Sequence, residues 1–127
     1  WAAGMTRLES VQNAVDQAKC VAGQIVACSE AQFEAVPWFW SDQGPHKLQM
    51  VGITAHADHV HVTGSPEAGK FAAYCFAGDE LLGIETVNLP GEHMLGRKLM
   101  TRSGVLTRDD VERPDFDLRA HLSALGP

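Results

Sequence analysis

The sequence predicts an α+β fold in which an antiparallel β-sheet is covered by helices and preceded by one long N-terminal helix. Three observations support this prediction. Apolar residues recur every three or four positions near the start, apolar and polar residues alternate through the middle, and helix signals return after Pro90. Strands and helices occur in separate blocks, so an alternating βαβ arrangement is not expected.

The first helix is predicted over about residues 7–26. Thr6 and Glu9 have the spacing of a capping box, in which the two side chains satisfy open amides at a helix start. One stripe of this helix is apolar and is expected to be buried; it consists of Leu8, Val11, Val15, Ala18, Ala22 and Ile25. A linker is expected from 27 to 34. Trp1 to Met5 resembles an interrupted segment, which indicates that material is missing upstream.

The segment 37–43 holds two of the three tryptophans, Trp38 and Trp40, and is followed by turn residues Gly44 and Pro45. Composition favours a strand in the core, because aromatic side chains usually serve packing. The alternative is an extended segment that lies against something flat or at a domain contact.

Alternation predicts strands from Lys47 to Ile53 and over 59–63, and a hairpin of 70–77 with 80–87. Val60 and Val62 fall on one face of the strand 59–63, and the histidines fall on the other, as in a half-buried strand.

Three helices are predicted at the end of the chain. Pro90 suits the first position of a helix that runs up to Ser103, Thr107 can cap a short third helix, and Asp117 begins a final helical turn or two.

Composition limits the function classes. The net charge of −6 weighs against nonspecific nucleic-acid binding, which needs a basic surface. No apolar run reaches the length of a membrane span, and three widely spaced cysteines indicate reduced thiols in a cytoplasmic protein. Four cations lie within twelve residues and form either one positive face or an ordinary solvated helix face: Arg97, Lys98, Arg102 and Arg108.

No glycine-rich phosphate-binding motif occurs, so nucleotide phosphates have no cradle within these residues. His56, His59 and His61 lie close together, but no fourth ligand has a familiar zinc spacing, and a metal site is not expected. Cys20 and Cys75 are expected to act as small buried hydrophobes.

One combination does point to a site. The open amides and positive dipole end at the start of the first helix favour an oxygen that gains negative charge, and the aromatic segment offers a flat neighbour. A planar cofactor such as a flavin suits that pair.

The stretches 7–14 (RLESVQNA) and 37–43 (PWFWSDQ), with Lys47 to Gln49 and Val87-Asn88, resemble the C-terminal third of the flavoprotein reductases of ferredoxin and rubredoxin. This family includes putidaredoxin reductase and the reductase components of aromatic-ring dioxygenases. The resemblance implies an enzyme that binds FAD and NADH on domains upstream of Trp1 and passes single electrons to a [2Fe-2S] ferredoxin or a rubredoxin. It implies that 1–28 ends the FAD domain and that 29–127 is the reductase C-terminal domain.

The same resemblance assigns roles to six residues. Val11 matches the residue whose backbone amide meets the flavin pyrimidine edge, with Glu9 and Ser10 beside it. Trp40 matches the tryptophan near the isoalloxazine and the ferredoxin-facing surface. Lys19 and Trp38 match positions on the acceptor-docking side. Gly44-Pro45-His46 departs from the family pattern, in which a tyrosine or phenylalanine is frequent.

The chain alone is therefore expected to be inactive. The alternative from another class is a noncatalytic dimerisation or interaction module that uses the aromatic segment, which is consistent with self-association of the fragment.

Overall fold

A five-stranded antiparallel sheet and four helices make up the computed structural model, which describes residues 6–28, 30, 32–102 and 104–126. In chain order the elements are α1 (Val11–Ala27), β1 (Trp38–Gln43), β2 (His46–Gly52), β3 (His59–Ser65), β4 (Lys70–Ala77), β5 (Glu80–Val87), α2 (Pro90–Leu99), α3 (Arg108–Val111) and α4 (Leu118–Ala124). The α+β class is confirmed. The expectation about Trp1 to Met5 lies outside the described residues.

The strand order is β1-β2-β5-β4-β3, so β1 and β3 form the two edges of the sheet. The predicted hairpin of β4 and β5 is confirmed, with a turn in which Gly78 has a φ of 56°. Gly44 has a φ of 58° in the turn between β1 and β2. Both turns need a left-handed residue, which glycine supplies without strain.

One face of the sheet is covered by helices and forms the core. Val51, Tyr74 and Ile84 are fully buried there. The absence of a side chain at Gly96 lets α2 lie close to the sheet, since an added Cβ would be 3.1 Å from Ile84 Cδ1. The helical members of the same core are Leu99, Val111, Leu118 and Leu122.

The predicted start of the first helix was wrong. The helix begins at Val11, and its N-cap is Ser10, whose Oγ accepts from the amide of Asn13 at 3.1 Å. The Asn13 side chain donates to the Leu8 carbonyl at 2.7 Å and holds the preceding segment outside the helix. Glu9 pairs with Arg7 at 2.8 Å instead of completing a capping box.

The expected burial of the apolar stripe of α1 was also wrong. Val11 is 64 % exposed and Ile25 is 75 % exposed, whereas the residues buried on this helix are polar, Gln12 and Asn13. The reason is that the first turn contacts β1 through the Gln12 side chain, as described below. Leu8 is half-buried, and the described part of the chain leaves the stripe from Val11 to Ile25 exposed.

Both edge strands differ from a simple core strand. In β1, Trp38 is half-buried while Phe39 and Trp40 are exposed, so composition overstated the burial of this segment. In β3 the two valines and the histidines do lie on opposite faces, but Val60 and Val62 lie on the face without helices and are exposed.

The later helices follow their sequence signals, with one correction. Pro90 starts α2 as predicted, but the helix ends at Leu99, before the predicted limit at Ser103. Thr107 caps α3 through a complete capping box with Asp110, and the Asp117 carboxylate caps α4. No helix within the described ranges is long and apolar enough to cross a bilayer.

Candidate functional site at the start of the first helix

A cavity of about 250 Å³ lies between the segment before α1 and the face of the sheet that has no helices. Its walls come from 7–10, from Pro37 to Phe39, from Met50 and from the loop 52–55. Phe39 and Met50 are cross-strand partners, so β1 and β2 together provide an apolar wall. The cavity is large enough for part of a planar ligand.

The start of α1 borders this cavity, because Glu9 and the N-cap residue Ser10 line it. The amides of Val11 and Gln12 occupy the first two positions of α1, where no partner exists within the helix. The Asn13 amide is already satisfied by Ser10. The positive end of the helix dipole therefore lies next to the cavity, which Ser10 lines directly before Val11, and a helix start suits an acceptor atom that gains negative charge.

The Gln12 side chain fixes the helix start against β1. Its Oε1 accepts from the backbone amide of Trp38 at 3.2 Å, and its Nε2 donates to Asp16 at 2.7 Å. Gln12 is buried, so this contact is protected from water. Consequently the opening turn of α1 and the aromatic segment form one local unit.

The three aromatic side chains of β1 lie on both faces of the sheet. Trp38 and Trp40 stack with ring centroids 5.6 Å apart and an interplanar angle of 27°. Phe39, between them in sequence, lies on the opposite face and lines the cavity. Trp40 is 40 % exposed at the sheet edge and is not among the cavity residues.

Two residues of α2 contact the Trp38 ring. The Arg97 Cζ lies 3.9 Å from the indole centroid, and the His93 ring lies 5.9 Å away with an interplanar angle of 56°. A second cavity, of about 480 Å³, is lined by Trp38, Arg97 and Lys98 together with Gln12 and other residues of α1 and α2. Burial, and next the charge of Arg97, lower the pKa of His93, so the imidazole is neutral at neutral pH.

The residues predicted from sequence fall into three places. Glu9 and Ser10 line the first cavity, and Val11 follows them as the first residue of α1 but is not among the cavity residues. Trp40 lies beyond Trp38 on the helix-covered face of β1. Lys19 is exposed farther along α1.

Sequence reasoning placed Phe39 in the aromatic segment but did not identify Gln12, His93 or Arg97 as parts of this region. The four-residue spacing of His93 and Arg97 places them on one helix face, but the sequence did not show that Trp38 lies against that face. Among the four cations noted in the sequence, Arg97, Lys98, Arg102 and Arg108, the three arginines have different partners. Arg102 donates to the Gly126 carbonyl, and the Arg108 guanidinium lies 4.0 Å from the Glu112 carboxylate.

The histidines take structural positions. His59 lies 3.2 Å from Glu112 and packs on Phe76, and His61 is the cross-strand partner of Tyr74. Within the described residues, no three His, Cys, Asp or Glu side chains are grouped so that they could hold a metal ion.

Comparison with known proteins identifies the family. Residues 38–122 match the family described as "Reductase C-terminal". The rhodocoxin reductase of Rhodococcus erythropolis is 50 % identical over 121 residues, which are 95 % of this chain and 28 % of that protein.

Two solved structures are similar in fold. The ferredoxin reductase for the CYP199A2 system from Rhodopseudomonas palustris has a TM-score of 0.80 at 43 % identity, covering 91 % of this chain and 28 % of that one. The reductase in the covalent putidaredoxin reductase–putidaredoxin complex has a TM-score of 0.83 at 33 % identity, covering 94 % of this chain and 28 % of that one. The chain thus spans about 28 % of the length of these relatives. By sequence and by fold, it belongs to the reductase C-terminal family of the ferredoxin reductases.

Proposed function

We propose that this chain is the C-terminal part of an FAD-dependent NAD(P)H:ferredoxin reductase. In the complete flavoprotein, electrons pass from NADH through FAD to a [2Fe-2S] ferredoxin or a rubredoxin that serves an oxygenase. The observation that carries this proposal is the family match over 38–122, joined to a cavity between the N-cap of α1 and an apolar wall. The likeness to a reductase solved in complex with putidaredoxin supports a ferredoxin-type partner.

The residues present fit an isoalloxazine edge. FAD, when bound, supplies hydride acceptance and single-electron transfer. The amide of Val11, the residue after Ser10 in the cavity wall, would donate to the pyrimidine oxygen of such a ring, where reduction increases negative charge. Phe39 and Met50 would exclude water from one side of the ring, and Glu9 and Ser10 would form the rim.

The acceptor-facing side is the β1 edge. Trp40 is exposed there and stacks on Trp38, so the two indoles offer a flat apolar surface. Lys19 adds a positive charge on α1 that attracts an acidic partner, despite the overall charge of −6.

The exposed apolar stripe of α1 supports the domain division at residue 28. Residues 1–28 end an FAD domain, whose remainder covers the stripe, and 29–127 form the C-terminal domain. The large exposed apolar residues of the stripe and its flank are Val11, Val15, Val21, Ile25 and Val26. Burial of these residues by the preceding part of a longer, cytoplasmic flavoprotein would stabilise α1.

A proline at position 11 tests the flavin contact. Proline is favoured at the first position of a helix and removes only an amide that the helix does not use, and the extended backbone of Ser10 suits a residue before proline. In the complete flavoprotein, Val11→Pro is expected to slow flavin reduction by NADH about tenfold or more, from the loss of a hydrogen bond to a developing charge. Val11→Ala keeps the amide and is the matched control. Stopped-flow absorbance that shows equal rates for the two variants would refute the proposal.

A second experiment tests whether the upstream domains are needed for activity. The isolated 127 residues with added FAD are expected to show no NADH oxidation above the rate of free FAD. Turnover above that rate would show that the proposed upstream domains are not needed.

A second candidate function is a noncatalytic interaction module. It is favoured by the exposed Phe39 and Trp40 on an edge strand, which can pair with another copy. Light scattering on the wild type and Trp40→Ala distinguishes the two: association that persists unchanged without the indole argues against this candidate.

A further inference from the structure

Two residues of α2, one helical turn apart, hold the same indole. The guanidinium carbon of Arg97 lies 3.9 Å from the centroid of Trp38, which is a close cation–π distance. The His93 ring contacts that indole at a centroid distance of 5.9 Å. Trp38 in turn stacks on Trp40. Contacts therefore run from α2 through Trp38 to Trp40, the exposed indole at the sheet edge.

Burial of the His93 imidazole lowers the stability of the fold. His93 is 2 % exposed, and neither ring nitrogen has a hydrogen-bond partner in the described part of the chain. The Oε1 of Gln49 is also buried without a hydrogen-bond partner among the described residues, and Gln49 is the cross-strand partner of Trp40. Buried polar groups are normally satisfied, and an apolar ring at position 93 would avoid this loss of stability. Such departures from good packing tend to occur where a site requires them.

We propose that His93 and Arg97 are positioning residues, which orient the Trp38–Trp40 pair so that Trp40 presents a fixed face to the electron acceptor at the β1 edge. The last clause rests on the proposed function, whereas the orientation of the indole pair does not. Arg97 supplies the charge against the indole, since His93, whose pKa is lowered by burial and by Arg97, stays neutral.

His93 contributes ring packing to this arrangement, and Arg97 contributes charge. His93 is buried and its planar ring contacts that of Trp38, so a phenylalanine can replace the ring but a leucine cannot reproduce the contact between rings. Arg97 is exposed, so replacing it changes the cation–π contact with little effect on the core. Lys98 lies next to it in the last turn of α2 and provides a matched control for charge.

Near-ultraviolet circular dichroism of the full 127-residue chain tests the orientation. The signal of the stacked pair is the difference between the wild type and Trp40→Phe. Arg97→Gln and His93→Leu are expected to reduce this difference about twofold or more, because each removes one contact that fixes the indole. His93→Phe and Lys98→Gln are expected to retain it. Far-ultraviolet spectra confirm that each variant is folded.

Retention of the wild-type difference in Arg97→Gln overturns the proposal. If His93→Leu does not fold, Arg97→Gln decides alone, because its side chain lies at the surface. In the complete flavoprotein, Arg97→Gln is expected to lower the rate of acceptor reduction several-fold while flavin reduction by NADH is unchanged. An altered indole spectrum with unchanged acceptor reduction would contradict the role toward the acceptor but leave the flavin assignment, tested by Val11→Pro, untouched.

Discussion

Removal of one buried hydroxyl should loosen α2 from the sheet. Tyr74 is fully buried in β4, and its hydroxyl donates a hydrogen bond to the carboxylate of Glu92 in the first turn of α2. Its ring packs edge-on against Phe116 at 5.5 Å. Tyr74→Phe keeps this packing and removes only the hydrogen bond. The variant therefore isolates the contact that anchors the helix carrying His93 and Arg97.

The expected loss is about 2 kcal/mol of unfolding free energy, typical of a hydrogen bond to a charged group. For a chain of 127 residues, each kcal/mol corresponds to a change of about 4 °C in Tm. Tyr74→Phe should thus lower Tm by about 8 °C. Glu92→Gln keeps a neutral acceptor and should cost less, about 1 kcal/mol.

Thermal unfolding of the two single variants and the double variant measures the coupling. A Tm for Tyr74→Phe within about 1 °C of the wild type would refute the reasoning. The pH dependence gives a second check. Burial, and next Glu92, raise the pKa of Tyr74, so the contribution of Tyr74 to stability is complete below about pH 10, where tyrosine in the unfolded chain titrates, and declines above it. The difference in Tm between wild type and Tyr74→Phe should shrink in that range.

Two further predictions concern a glycine and the thiols. At Gly52, where φ is 88°, an added Cβ would lie 2.1 Å from the Leu82 carbonyl oxygen, so Gly52→Ala should cost about 3 kcal/mol or more by chemical denaturation. Gly44→Ala has a positive φ but open space and should cost only about 1 kcal/mol; equal losses would contradict the steric argument. Cys28 is exposed, whereas Cys75 is 4 % exposed and burial, with Glu85 as a smaller cause, raises its pKa to about 11. Alkylation followed by mass spectrometry should therefore label Cys28 in the native chain and Cys75 only after unfolding.

Local signals predicted much of the fold. The hairpin of β4 and β5 follows from alternation and a Gly-Asp turn, and the capping box at Thr107 follows from side chains three residues apart. These features depend on neighbours in sequence, so no tertiary information was required. The start of α1 was missed because Ser10, not Thr6, caps the helix: the Asn13 amide donates to Ser10 Oγ, and the Asn13 side chain donates to the Leu8 carbonyl outside the helix.

The sequence by itself determined the α+β class, the strand boundaries near the hairpin and the reductase resemblance, because these reside in periodicity and in contiguous motifs. Only the tertiary structure decided which faces are covered: it left the apolar stripe of α1 and the valines of β3 in solvent and buried Gln12. It also brought Arg97 onto Trp38, from positions 59 residues apart in sequence. Periodicity records that a face is apolar, but the partner that covers it is set by how distant elements pack.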